Sequence, residues 1–361
     1  MRILLSRTDS IGDVVLTLPM AGALKEKFPD CTILFLGKEY TRQVIACCRF
    51  VDEFVNWDEA GKDIRDNSER EIAHAAFLSS LRADIIIHVF PVKEICRAAK
   101  MAGIPLRIAT ARRFFTWFSC NRKLHIPRRN SDLHEAQLNL KMLKPLGIKG
   151  VFPLLSIPGL YGFRDTPRRF DKTRSVVPSC DSLVEPRPAG HHDGSFPWLI
   201  NGKYNLILHP KSKGSAREWG LDNFSALIRM LPEEKFNVLV TGTAGEGEKM
   251  RRFLDLHKGR ITDLTGKLDL AGFISMMARC DGMVAASTGP LHLAAALGIR
   301  AIGLYAPMRP VFPLRWAPLG EKACYLVINK KCNDCRKTLK CHCIQSITPE
   351  SVALKLTTSG I

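Results

Sequence analysis

Two aspartates stand in the turn after the first apolar run, "RILLSRTDSIGDVVLTLP", residues 2–19. Many nucleotide-binding chains place a glycine-rich, phosphate-cradling loop at such a strand–helix junction. A phosphate would be repelled by Asp9 and Asp13, so this turn calls for another explanation. Asp13 can complement the positive end of a helix dipole, and Asp9 or Ser10 can cap the helix. Asp9 is read as a cap.

Two later stretches do suit an anion. In "AASTGPLHLAAALG" a strand ends at Ser287, Thr288 and Gly289 turn, Pro290 opens a helix and Gly298 closes it. The first turn of that helix offers backbone N–H groups and a positive dipole end, although any strand–helix junction looks similar. In "LILHPKSKGSAREW" the residues Lys211, Ser212, Lys213 and Arg217 follow a strand, where cations and a hydroxyl suit a pyrophosphate. A basic surface loop is the plain alternative. His292 lies one turn into its helix, where it can approach a ligand or simply pack. Thr265, Gly266 and Lys267 stand at another strand end and are candidates for a nucleotide-base pocket.

The chain has 12 cysteines. Cys31, Cys47, Cys48, Cys96, Cys120 and Cys280 sit among apolar residues and read as small core side chains. Cys332 and Cys335 have zinc-type spacing, and Cys341 and Cys343 follow, so four thiolates can hold a structural zinc; a reduced, partly buried loop is the alternative. The segment "ARRFFTWF" mixes Arg112 and Arg113 with four aromatics, inside the stretch Arg97–Arg129 that has nine Lys/Arg and no Asp or Glu. With a net charge of +18, this predicts an anionic partner, and the aromatics suit docking on a phosphorylated lipid surface. A buried aromatic helix is the competing reading. No recognition helix or base-stacking motif supports nucleic acid.

The elements that must position these residues alternate. Strand-like "RILLS", "CTILFLG", "FVNW", "DIIIHVF" and "RIAT" are interleaved with helices at about 13–28, 40–47 and 68–81, and "HEAQLNLKMLKPLG" completes the half. The second half repeats the plan with "YNLILHP", "FNVLVTG", "ITDLTG", "GMVAAS" and "AIGLYA" and helices at about 222–231, 245–257, 269–279 and 289–297. Such alternation predicts α/β domains with doubly wound parallel sheets and ligands at the carboxyl ends of the strands. Expected boundaries are 1–161, a Pro/Ser/charged linker or mobile insertion at 162–202, and 203–361. Composition, the lack of a long uncharged apolar stretch and an early acidic start predict a globular chain of the cytoplasm without a membrane span or secretion signal.

The sequence resembles glycosyltransferase family 9, the ADP-heptose–lipopolysaccharide heptosyltransferases. The resemblance rests on the start through Leu18, "HEAQLNLKMLKPLG" at 134–147, "LHPKSKGSAREW" at 208–219, "LTGKLDLAGFISMMARCD" at 264–281 and "STGPLHLAAALG" at 287–298. It implies a GT-B architecture, two Rossmann-like domains facing a central cleft, with acceptor binding by the first and donor binding by the second. It implies that Asp13 is the catalytic base of an inverting transfer, with Gly12 leaving the backbone open beside it. Thr288, Gly289, Pro290, Lys211, Ser212 and Arg217 would hold the donor diphosphate. Thr265, Gly266, Lys267, Ser287 and His292 would line the base and sugar pocket. The family's well-known members carry Asp where this chain has Ser287, which bears on the donor sugar. Arg112, Arg113 and His134 are assigned to the acceptor side, His134 with a capping or core role equally open. No cofactor is required on this reading, and no Asp-x-Asp pair stands at a strand end to hold a divalent ion. The expected partners are ADP-heptose and an anionic glycolipid, Kdo–lipid A or core oligosaccharide, met at the cytoplasmic face of the inner membrane. A related transferase using another nucleotide sugar, or a non-catalytic assembly protein on an anionic surface, are the alternatives.

Overall fold

A computed structural model describes residues 1–128, 131–165, 196–309, 311–329, 332, 335 and 341–357. The chain divides into two compact units. The first comprises Met1–Ser131 and Ala136–Asp193, and the second comprises Asp132–Glu135 and Gly194–Ile361. Of the expected linker, residues 166–195 lie outside the described residues.

The first unit holds six parallel strands among its described residues: β1 (Arg2–Ser6), β2 (Thr32–Gly37), β3 (Glu53–Asn56), β4 (Ile85–His88), β5 (Leu106–Thr110) and β6 (Arg122–Leu124). Their order is β3-β2-β1-β4-β5-β6. Continuous apolar runs such as "RILLS" and "TILFLG" form the central strands because both faces are covered, and Ile3, Leu4, Leu5, Leu34 and Phe35 are fully buried. The chain order reverses between β1 and β4, and crevices outside the carboxyl ends of strands at such a reversal are where open α/β sheets bind ligands.

The second unit repeats this plan with β7 (Tyr204–His209), β8 (Phe236–Val240), β9 (Ile261–Asp263), β10 (Gly282–Ala286), β11 (Arg300–Tyr305) and β12 (Cys324–Val327), ordered β12-β11-β10-β7-β8-β9. Its reversal lies between β7 and β10, which run in register with Ala285 beside His209. The loops that follow both strands therefore leave the same sheet edge side by side.

Several expected helices are divided. The helix foreseen at 13–28 is two, Ile11–Val15 and Pro19–Lys27, because Pro19 has no N–H to continue the ladder and restarts it as a first-turn residue. The stretch at 134–147 is an α-helix, Glu135–Leu140, that tightens into a 3-10 helix over Lys141–Leu146 with Pro145 inside. The helix foreseen at 245–257 is broken at Met250 into Ala244–Lys249 and Arg251–Leu256.

Candidate active site

In the first unit the turn after β1 is organised by a residue the sequence reading passed over. Arg7 is only 3% exposed, and its guanidinium pairs with Asp9 at 2.6 Å and with Asp13. Ser10 Oγ donates to the other Asp13 oxygen at 2.6 Å. A carboxylate has about four acceptor positions, so Asp13 keeps lone pairs for a further donor while Arg7 and Ser10 fix its plane. Thr17 Oγ1 donates to the Asp13 carbonyl at 2.8 Å, and buried Asn139 donates to Leu16 O at 2.9 Å, which secures the helix from behind. Burial raises the Asp9 carboxyl above its ordinary range, against the opposing pull of Arg7.

Asp9 is not the cap foreseen for it. Ser10 occupies the N-cap position and makes no side-chain cap bond, while the Asp9 side chain turns to Arg7 instead. Gly12 is buried within the helix, and the open backbone foreseen at this glycine does not go with that burial. Phe90, two residues beyond β4, stacks near both Arg7 and Arg113, at 5.8 and 5.6 Å from guanidinium carbon to ring centre.

In the second unit, Thr288 is the N-cap of the helix Gly289–Ala296, with Pro290 in the first turn and Gly298 beyond its end at φ 81°. The Thr288 side chain does not cap. Its Oγ1 is buried without a hydrogen-bond partner among the described residues, and so are His292 Nδ1 and Trp316 Nε1. Buried polar atoms are ordinarily satisfied, so unpartnered polar atoms beside a helix N-terminus point to a polar ligand. Burial, with His134 nearby, pushes His292 down to about 3, so it is neutral at physiological pH. Ser287 lies against the Tyr305 hydroxyl, which donates to the Trp316 carbonyl.

His134 was expected on the acceptor side, yet it falls in the second unit. It is buried, bonds to Ala317 O at 2.9 Å, is pushed down to about 4 by that burial, and lies close enough to influence His292. Its buried neighbour Glu135 accepts both Nε and Nη2 of half-buried Arg315, at 3.0 and 2.8 Å.

The loop after β7 is closed by Glu218, a second residue the sequence reading missed. Its carboxylate takes Lys211 Nζ at 2.9 Å and the Ser212 N–H and hydroxyl at 3.1 and 3.2 Å. Ser212 is buried and also donates to Ala216 O, so it shapes the loop. Lys213 is exposed in the left-handed region at φ 49°, and Arg217 Nε donates to Cys335 O at 3.0 Å. Thr265 and Lys267 both bond to Asp263, at 2.7 and 2.6 Å, and Gly266 has φ 69°. A Cβ there would run into Ala244, so these three residues build the turn after β9.

The segment "ARRFFTWF" is not a buried helix. The helix Phe114–Ser119 leaves Phe114 79%, Trp117 57% and Phe118 63% exposed, beside exposed Arg112 and Arg113. The six scattered cysteines are all buried, and Cys96 and Cys120 meet His88 within 4.8 Å. No described helix is long and apolar enough to cross a membrane.

Residues 181–343 match the family model of glycosyltransferase family 9 (heptosyltransferase). A candidate glycosyltransferase of Haemophilus influenzae is 26% identical over 326 residues, covering 89% of this chain and 86% of its own. Lipopolysaccharide heptosyltransferase 1 of Escherichia coli is 22% identical over 331 residues, covering 86% of this chain and 89% of its own. Among solved structures, the ADP-heptose lps heptosyltransferase II of Escherichia coli superposes with a TM-score of 0.70 at 18% identity, covering 99% of this chain and 98% of its own. The two doubly wound sheets thus have the GT-B fold, and the protein is a glycosyltransferase. Within that class, residues 181–343 match the glycosyltransferase family 9 model, and over most of its length the chain is similar to a glycosyltransferase and to a lipopolysaccharide heptosyltransferase.

Proposed function

We propose that the protein transfers a heptose, with inversion, from ADP-heptose to the inner core of lipopolysaccharide. The observation that carries the donor half is the unused Thr288 hydroxyl at a helix N-terminus, on the strand reversal of the second sheet. Asp13 takes the proton of the attacking acceptor hydroxyl. That oxygen bonds to the anomeric carbon as the bond from this carbon to the diphosphate oxygen breaks. ADP leaves with the electron pair, and its charge is met by the N–H groups of Gly289 and Leu291, by the Thr288 hydroxyl and by Lys211 and Arg217. These groups supply the electrophilic help on this reading, so the chemistry needs no metal ion. Arg7 and Ser10 position Asp13 and do not themselves touch the reacting atoms.

The similarity to the lipopolysaccharide heptosyltransferase 1 and the ADP-heptose lps heptosyltransferase II of Escherichia coli supports a lipopolysaccharide acceptor and an ADP-heptose donor. The exposed aromatics of the helix Phe114–Ser119, flanked by Arg112 and Arg113, suit an interfacial contact with an anionic glycolipid surface. Ser287 favours a second reading, transfer from a different nucleotide sugar, because its hydroxyl replaces a carboxylate that could grip sugar hydroxyls.

The test is transfer by the purified full chain, without added metal, to deep-rough lipopolysaccharide from a panel of ADP-, UDP- and GDP-sugars. Transfer from ADP-heptose, lost by about 10²–10⁴-fold in Asp13→Asn with folding intact, is the expected result. Transfer from another donor alone would discard the heptose assignment. Undiminished turnover in Asp13→Asn would discard the base.

A further inference from the structure

The four cysteines near the C-terminus have no part in the transfer chemistry, yet the fold gathers them. The Sγ atoms of Cys332, Cys335 and Cys343 all lie within 4.8 Å of one another. Cys341 Sγ lies 3.0 Å from Cys335 Sγ. Cys335, Cys341 and Cys343 are buried, and all four pack against the core of the second unit. Four sulfurs around one tetrahedral zinc at about 2.3 Å stand about 3.8 Å apart, which these spacings bracket. The 3.0 Å contact is well outside a disulfide bond, which is about 2.05 Å long.

We propose that Cys332, Cys335, Cys341 and Cys343 bind one structural zinc ion as a tetrathiolate. On binding, each thiol releases its proton to solvent as its Zn–S bond forms, and no electron is transferred. The resulting centre carries two negative charges, and the sequence between residues 330 and 343 supplies five Lys/Arg and a single Asp to offset them. The ligand spacing, Cys-x-x-Cys and then Cys-x-Cys, matches two short chelating loops.

The centre sits where it can hold a neighbouring loop. Cys335 O accepts Arg217 Nε at 3.0 Å, Ile347 O accepts Trp219 Nε1 at 2.7 Å, and Gln345 O accepts Asn223 Nδ2 at 2.8 Å. The zinc-bound segment thus backs the loop that carries Lys211 and Arg217. Any effect of zinc on donor binding rests on the reading of that loop as a diphosphate site. The metal site itself does not.

The experiment is elemental analysis of the full-length protein purified under reducing conditions, joined to replacement of the bound metal by Co²⁺. One zinc per chain is expected, with intense sulfur-to-cobalt charge-transfer absorption and the visible bands of tetrahedral cobalt. Cys335→Ser and Cys343→Ser should each lower retained zinc at least about tenfold. Should these variants fail to fold, the wild type decides: a chelator should release the zinc and make four protected thiols reactive. Metal-free protein with four freely alkylated thiols would overturn the proposal, as would a disulfide between Cys335 and Cys341. Iron in place of zinc would overturn the zinc assignment. Zinc bound without any change in sugar transfer on its removal would leave the site standing and detach it from the donor loop.

Discussion

Replacing Thr288 by valine separates a binding role from a structural one. The side chain is only 5% exposed, and its hydroxyl has no partner among the described residues. Valine keeps the shape and exchanges the hydroxyl for a methyl group. A buried hydroxyl without a partner costs about 1–3 kcal/mol relative to a satisfied one. Taking the lower end of that range, Thr288→Val should gain about 1 kcal/mol of stability. That corresponds to a rise in Tm of about 2–4 °C. The same change removes a donor to an ionised phosphate, worth about 1.5–3 kcal/mol, so ADP affinity should fall about 10- to 150-fold. Thermal unfolding of the ligand-free protein and calorimetric titration with ADP read the two effects separately. Lower stability with unchanged ADP affinity would refute the reasoning, because it would mean that the hydroxyl serves the fold.

Arg7→Met leaves Asp9 and Asp13 facing each other without their cation. Because both carboxylates are about a quarter exposed, the loss should be about 2–3 kcal/mol at pH 7. Denaturant titrations should show much of it recovered as the pH falls toward 4 and a carboxylate takes up a proton. Trp117→Ala with Phe118→Ala should reduce sedimentation with anionic glycolipid vesicles at least about tenfold while leaving transfer to a detergent-solubilised acceptor unchanged. Burial pushes His134 and His209 down to about 4 and His292 to about 3, below the unfolded value near 6.5. In that window the unfolded chain binds protons that the native chain refuses. Stability should therefore fall as the pH drops from 6.5 toward 4, by up to about 1.4 kcal/mol per pH unit for each histidine, measured by urea unfolding. A flat profile there would show that these rings reach water.

Much of the scaffold was written locally. The central strands are uninterrupted apolar runs because each is covered on both faces, and "RILLS", "IIIH" and "GMVAA" carry that signal unaided. The edge strands β6, "RKL", and β12, "CYLV", are short and only partly buried, so their pattern does not stand out. The breaks at Pro19 and Met250 differ in kind: proline announces the first, whereas nothing in the residues around Met250 announces the second. At the site, the helix opened by Thr288 and Pro290 follows from terminus chemistry. Arg7 and Glu218 were invisible for the opposite reason. A charged residue after a strand reads as solvated surface until its partners, Asp9 and Asp13 or Lys211 and Ser212, are folded around it. His134 was misplaced because its sequence neighbours continue into the first unit while its side chain is held by Ala317, 183 residues away.

That four-residue loan has a practical meaning for anyone who would dissect or recombine such chains. A fragment begun at Gly194 would contain every strand of the second sheet and still be missing Asp132–Glu135. Arg315, which is half-buried, would then lose its carboxylate partner, and Ala317 O would lose its imidazole. The unit is thus modular in its topology and not in its primary structure. A chimaera that exchanges only the C-terminal half with a relative would need to carry this short upstream segment along with it.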